Sequence, residues 1–306
     1  MSCKLTIKEV KGNYLEFQLE NVSRHFANAL RRAMIAEVPT LAIDNLRVYQ
    51  NTSPLPDEYI AHRLGLIPFD SSAEKHFCFY DQCSCAGGCE KCTVLFKIDV
   101  KCTEDVPILV TADDLVRLPC EDMDMASHHD NVHPAFIPTE NNATAPVVIA
   151  KLSKGQSLQL VVEVKKSIGR VHAKWAPVCI SAYHQIADIK FDPHKMRDIG
   201  NDQKAEIVDS CPCGVLSLNH SNGEIEIENI EKCSFCNSCV RVMDQMRIKH
   251  AISIESRPNI FVFNIETIGM HPPEKVVKYA FEALSNKLDT FMKNVKEAKE
   301  KEIIAK

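Results

Sequence analysis

Nine of the fourteen cysteines fall in two short windows, and this clustering limits the folds open to the chain more than any other feature. The first window, Cys83-Ser84-Cys85-Ala86-Gly87-Gly88-Cys89-Glu90-Lys91-Cys92, has the form C-x-C-x3-C-x2-C. Four thiolates so close in sequence can close a tetrahedron on one Zn2+, with Gly87 and Gly88 supplying the reversal between the ligand pairs. Four sulfurs leave no coordination position for a catalytic water. Cys83, Cys85, Cys89 and Cys92 are therefore expected to hold one structural zinc that pins a loop. The second window is split into Cys211-Pro212-Cys213 and Cys233-Ser234-Phe235-Cys236-Asn237-Ser238-Cys239. C-x2-C-x2-C is the spacing of a bacterial-type 4Fe–4S cluster, whose remaining ligand is a remote Cys followed by Pro. Cys211, Cys233, Cys236 and Cys239 are the candidate ligands. Cys213 is a fifth thiol, and a second Zn2+ on Cys211, Cys213 and two of the later three stays open. The scattered Cys3, Cys78, Cys102, Cys120 and Cys179 read as small hydrophobes.

The 306 residues leave room for two domains, or for one domain carrying insertions. Lys and Arg number 36 against 41 Asp and Glu, a net charge of −5, which argues against a chain that wraps nucleic acid. No run reaches the roughly 18 apolar residues of a membrane span, and Met1-Ser2-Cys3-Lys4-Leu5 lacks the order of a signal peptide. An intracellular protein is expected, whose clustered cysteines are thiolates on metal rather than disulfides.

Leu5, Ile7, Leu15, Phe17 and Leu19 alternate around Lys11-Gly12-Asn13, a β-hairpin signal. Asn21 or Ser23 can cap a following helix that ends before Pro39, with Phe26, Leu30, Ala33 and Met34 on one face and Arg31-Arg32 elsewhere. A strand over 41–49, a helix over 57–64 and a strand over 95–100 come next. Residues 121–142, polar and acidic with His128, His129 and His133, lack strict ligand spacing and read as a solvated loop. Strands over 147–152 and 158–164 flank a turn at Lys154-Gly155, and 178–191 and 260–265 are extended. Pro272-Pro273 opens a last helix running to about Lys301. Within it Val277, Phe281, Leu284, Leu288, Phe291 and Val295 recur at intervals of four and three, a seam of period 3.5. Fully burying six such side chains is worth on the order of 10 kcal/mol gross. The pattern fits a partner helix and the chain's own sheet equally.

The phosphate loop, dinucleotide fingerprint, zinc-protease helix and nucleophile elbow are all missing. No close Asp cluster suits two-metal nucleotidyl transfer, and no basic–aromatic interleaving suits a single-strand platform. The sequence points to a scaffold or adaptor rather than an enzyme. A rival of another class is a stand-alone iron–sulfur redox protein.

Several strings together resemble one family. Residues 22–40, Val-Ser-Arg-His-Phe-Ala-Asn-Ala-Leu-Arg-Arg-Ala-Met-Ile-Ala-Glu-Val-Pro-Thr, are similar to the N-terminal helix of RNA polymerase α-type assembly subunits. Residues 57–68, Asp-Glu-Tyr-Ile-Ala-His-Arg-Leu-Gly-Leu-Ile-Pro, resemble the next signature of the archaeal and eukaryotic members. The Cys83–Cys92 loop resembles the zinc loop of the third-largest-subunit family of eukaryotic RNA polymerase II. Gly169-Arg-Val-His-Ala-Lys-Trp-Ala-Pro177 looks like the family's return into its dimerisation domain. Ile265-Glu266-Thr267-Ile268-Gly269 resembles the strand before the last helix, though Thr267-Ile268 departs from the usual Ser-Thr pair. The resemblance covers about residues 4–300. The split second window looks instead like the ferredoxin-like insertion of archaeal D subunits. The paralogue shared by polymerases I and III usually lacks the four-cysteine loop.

The resemblance implies an α+β fold with a discontinuous α-like dimerisation domain at 1–40, 177–205 and 247–306. A β-rich zinc-loop domain would be inserted at 41–176 and a small ferredoxin-like Cys module at 206–246. It also implies a non-catalytic, nuclear assembly subunit of DNA-directed RNA polymerase II. Phe26, Leu30, Val277, Phe281, Leu284, Leu288 and Phe291 would pair with a small α-like subunit. That heterodimer would dock the second-largest subunit, with Arg31, Arg32 and the stretch from Glu58 to Arg63 as candidate contacts. Little or no direct nucleic-acid contact and no membrane contact are expected.

Overall fold

The opening hairpin forms where alternation predicts it, as β1 (Lys4–Lys11) and β2 (Tyr14–Glu20), turned at Gly12. In this computed structural model, which describes residues 2–85, 87–135, 145–219, 222–248 and 250–304, the next element is α1 (Arg24–Ala36). Ser23 caps it, its hydroxyl accepting the Phe26 N–H at 3.2 Å. There follow β3 (Pro39–Asn51), α2 (Asp57–Gly65), β4 (Thr93–Lys101), β5 (Ile108–Thr111), β6 (Val116–Arg117) and α3 (Met123–Asp130). Then come β7 (Val148–Leu152), β8 (Ser157–Ile168), β9 (Val178–Phe191), α4 (Pro193–Arg197) and α5 (Asn201–Asp209). The chain ends with β10 (Leu216–Asn219), β11 (Glu224–Ile227), α6 (Ser238–Gln245), β12 (Ile252–Thr267) and α7 (Pro273–Ile304). Among the described residues no helix is long and apolar enough to cross a membrane.

The chain packs into two units, one of residues 1–8, 16–27 and 183–263, the other of 9–15, 28–182 and 264–306. The first unit carries parts of a sheet with the order β1-β2-β12-β9. Phe17 stacks on Phe263 there, ring centroids 4.8 Å apart, and Tyr183 meets Phe261 edge-on. A second core of this unit gathers Ile199, Ile207, Leu216, Met243 and Ile252 around the cysteine-bearing segment. That segment is no bare loop: the antiparallel β10–β11 pair and α5 and α6 build it.

In the second unit β8 is the spine of an antiparallel sheet ordered β3-β8-β4-β6. Its Leu158, Leu160, Val162 and Val164 alternate into the core with Ile43, Phe69, Phe96 and Ile98, as period two requires. β7 pairs with β5 instead of turning back onto β8, so the turn at Gly155 joins two sheets rather than closing a hairpin. The region expected as a solvated loop contains α3, whose start Asp122 caps by accepting the Asp124 N–H; its residues 136–142 lie outside the described residues.

Candidate metal centre and pairing surface

Both arms of the first cysteine window are registered on β8. Thr93, directly after Cys92, pairs with Lys165. On the incoming arm the buried Lys166 ammonium meets the Glu74 carboxylate at 2.8 Å and the carbonyls of Glu74 and Phe77 at 2.8 and 3.2 Å. The Lys165 ammonium sits 4.1 Å from the Tyr80 ring centroid. The Cys78 N–H donates to the Lys91 carbonyl at 2.9 Å, closing the loop's base. Gly87 and Gly88 both adopt positive φ, 104° and 110°, so the expected reversal is the one observed.

The ligand atoms of Cys83, Cys85, Cys89 and Cys92 all lie within 4.8 Å of one another. Cys83–Cys89 and Cys85–Cys92 are 3.6 Å apart and Cys89–Cys92 3.8 Å, sulfur to sulfur. A tetrahedron with metal–sulfur bonds of about 2.3 Å has edges of roughly 3.8 Å, so the four sulfurs are spaced to hold a metal ion. All fourteen cysteines are free thiols. The backbone N–H of Cys85 chiefly draws the Cys83 thiol down to about 7. Burial chiefly pushes Cys89 up to about 12, and the hydrogen bond with Cys83 chiefly raises Cys85.

The second set is arranged differently. Cys211, Cys213, Cys233, Cys236 and Cys239 line one cavity with Ile189, Val215, Leu216 and Ile254. Among the described residues only the first window brings three or more metal-ligating atoms within 4.8 Å of one another. Phe235 and Asn237 hold φ of 57° and 56°, a left-handed conformation uncommon outside glycine, and so curl the run that carries Cys233, Cys236 and Cys239. The Ser238 hydroxyl chiefly lowers the Cys236 thiol, whereas burial chiefly raises Cys239.

The stripe on α7 changes character along its length. Val276, Val277, Tyr279 and Ala280 are buried, and Phe281 and Leu284 are half-buried. Beyond them Leu288, Phe291 and Met292 are 64%, 66% and 55% exposed. On α1, Leu30, Ala33 and Met34 are buried and Phe26 is exposed. Leu30 and Val277, expected in the pairing face, therefore anchor their helices inside the chain's own body. Arg31 folds onto its own helix, with Nε and Nη2 donating to Asn28 Oδ1 at 3.2 and 3.0 Å. Arg32 is exposed. Arg63, expected to face a larger chain, donates from Nε to the Ile149 carbonyl at 3.0 Å and from Nη2 to that of Val148, fastening α2 to β7.

Spacing gave no hint of Glu90, whose carboxylate takes backbone N–H groups of the segment leading into α3. Those partners lie more than thirty residues downstream, beyond any local motif.

The sequence matches the RNA polymerase Rpb3/Rpb11 dimerisation domain over residues 16–288. It is 36% identical over 287 residues to DNA-directed RNA polymerase II subunit rpb3 of Dictyostelium discoideum, covering 93% of this chain and 92% of that one. A conjugation stage-specific protein of Tetrahymena thermophila is 35% identical over 297 residues, 96% of this chain and 95% of that protein. The archaeal subunit Rpo3 of Methanosphaera stadtmanae is 31% identical over 295 residues, 96% and 98% of the two chains. A chain of mixed helices and sheets, matched over most of its length, defines an α-type polymerase subunit. The chain belongs to the RNA polymerase Rpb3/Rpb11 family, as an Rpb3-type member.

Proposed function

We propose that this chain is a non-catalytic assembly platform of RNA polymerase II in the nucleus. It pairs with a smaller α-like subunit, and the heterodimer docks the second-largest subunit. The observation that carries the reading is the distal half of α7, where Leu288, Phe291 and Met292 form an apolar stripe more than half exposed. A stripe of this kind on a soluble surface marks a pairing site. Phe281 and Leu284 lead into it, and Phe26, exposed on α1, is a further candidate contact. Arg32 and the stretch from Glu58 to His62 are the remaining candidate contacts to the larger chain. The dimerisation domain comprises 1–40, 177–205 and 247–306, with the β-rich domain and the Cys module inserted between its parts. Template-directed nucleotide transfer belongs to the large subunits.

Zinc suits the first window, because four thiolates at tetrahedral spacing form a closed structural site. For the second window an iron–sulfur cluster suits better than a second zinc. Its sulfurs surround one apolar cavity without converging on a single point. That cavity holds about 20 Å3, room for a single water, so the cysteine-bearing turns must spread to admit a cluster.

Co-expression tests the pairing. The full chain alone is expected to self-associate, and a small α-like subunit to convert it to a soluble 1:1 complex. A chain that stays monomeric and ignores such a partner defeats the proposal. Cys83→Ser or Cys92→Ser is expected to loosen the zinc loop and weaken assembly with the second-largest subunit while leaving the small-subunit pair intact. Normal assembly of these variants, together with no zinc in the wild type, refutes the structural role of the site.

A further inference from the structure

Glu90 sits between two cysteines of the metal loop, Cys89 and Cys92, yet its carboxylate and its main-chain carbonyl engage α3 and its approach. One carboxylate oxygen accepts the Glu121 N–H and the other the Asp122 N–H, each at 2.6 Å. Its main-chain carbonyl accepts Nε2–H of the buried His129, in the last turn of α3, at 2.7 Å. One residue of the loop thus grips the helix at both ends.

α3 depends on such a grip. Eight residues fall short of the roughly 12–15 at which an isolated helix becomes even marginal, and α3 buries only Met125 and His129. Its other ties include Met125 in the core, a Phe77–His129 ring contact at 5.4 Å, a His76–His128 stack with centroids 3.6 Å apart and an Arg117–Asp130 ion pair. A cavity of about 210 Å3, lined in part by Gly88, Cys89, Glu90, Cys120 and His129, opens between loop and helix. Hydrogen bonds, rather than packed apolar mass, join the two there. Hydrogen bonds to an ionised carboxylate are the strong kind, and their geometry fails once the residue that carries them is free to move.

We propose that Glu90 transmits metal occupancy of the four-cysteine loop to α3. With the loop closed on its metal, Glu90 is fixed and α3 stays folded on its domain. When the metal leaves, the loop opens, Glu90 releases its three partners and α3 unfolds locally. Glu90 is a positioning residue, and the surface of α3, with Met123 outermost, is presented only by the loaded chain. The inference rests on the loop being a metal site.

Hydrogen exchange of the full chain, read on peptides covering residues 119–131, tests it with zinc content measured in parallel. Removing zinc from the wild type is expected to speed exchange there by about tenfold or more while peptides of β8 stay protected. Zinc-loaded Glu90→Gln, which keeps the main-chain bond to His129 but loses the charged acceptor, is expected to keep its metal, show part of that acceleration, and respond to zinc removal by a smaller factor than the wild type. Unchanged exchange on zinc removal overturns the proposal. So does a zinc-loaded Glu90→Gln chain with wild-type protection, or one that zinc removal still accelerates by the wild-type factor. A wild-type chain that takes up no zinc sinks the metal-site reading itself, whereas zinc bound without coupling sinks only the role of Glu90.

Discussion

Lys287 on α7 reaches Glu37, one residue past the end of α1, with its ammonium 2.5 Å from the carboxylate. The pair stands where α7 leaves its own body: Val276, Val277, Tyr279 and Ala280 are buried, and Leu288, Phe291, Met292 and Val295 are more than one-third exposed. Half of the Lys287 side chain is in water, so the ion pair itself contributes at most about 1 kcal/mol. Apolar area beyond Lys287 is therefore what must drive pairing.

Leu288→Asp combined with Phe291→Asp should separate folding from pairing. Both side chains are largely exposed, so the melting of the lone chain should change by no more than about 0.5 kcal/mol. Burying each wild-type side chain against a partner is worth about 1.5–3 kcal/mol, so affinity for the α-like subunit should fall at least 100-fold. Titration of the purified subunits measures it; a near-normal affinity would move the pairing surface elsewhere.

Zinc affinity should depend steeply on pH. Thiols must lose their protons to bind, so raising the pH favours the bound state. Cys83, near 7, is mostly thiolate at pH 8, whereas Cys85 and Cys89 are shifted up and still protonated. Those two alone release about two protons per zinc, so affinity should rise about 100-fold or more between pH 7 and pH 8. Competition against a chromophoric chelator at the two values gives the slope. A slope below one would show that the loop is already deprotonated.

What the sequence disclosed was set by short spacings. The four cysteines, the Ser23 cap and the stripe on α7 each lie within a few residues of the groups they serve. What it concealed depends on distant partners. Val148–Leu152 reads as the mate of the strand after it, but its partner β5 lies far upstream. α3 has a weak apolar pattern and is held by Glu90, 31 residues before Glu121 and 32 before Asp122. A stripe of period 3.5 also does not reveal how much of it the chain covers itself. Val277 and Leu288 fit one pattern and have opposite environments.

Glu163 and Lys165 on β8 form a buried ion pair at 3.0 Å, supported by Asn45 and Arg47. Burial pushes the Glu163 carboxyl up, but Lys165, Asn45 and Arg47 together outweigh it and leave it below the ordinary value. A lowered carboxyl stabilises the fold above its unfolded pKa, and that contribution is lost as pH falls through the folded value. Urea midpoints of the wild type should therefore drop below about pH 4.5 more steeply than those of Glu163→Gln. Lys165→Met, which leaves the buried carboxylate with only Arg47 and Asn45, should cost about 1–3 kcal/mol at pH 7. Wild-type stability in Lys165→Met would show that water screens the pair.

Gly169 makes the tightest approach of any glycine in the described chain: a Cβ there would stand 2.3 Å from the carbonyl oxygen of Ile35, in the last turn of α1. The next residue, Arg170, donates its N–H to the Ala36 carbonyl at 2.9 Å, satisfying an acceptor that the helix end leaves open. The missing side chain thus lets the exit of β8 cap α1. Gly169→Ala must push the two backbones apart, at a cost of about 1–3 kcal/mol, and break the cap. The expected result is a lower melting temperature together with faster amide exchange at Arg170. Because α1 carries Phe26, pairing with the α-like subunit should weaken as well. Stability within about 0.5 kcal/mol of the wild type would mean that the helix end yields freely, and that the glycine of this motif serves something other than close packing.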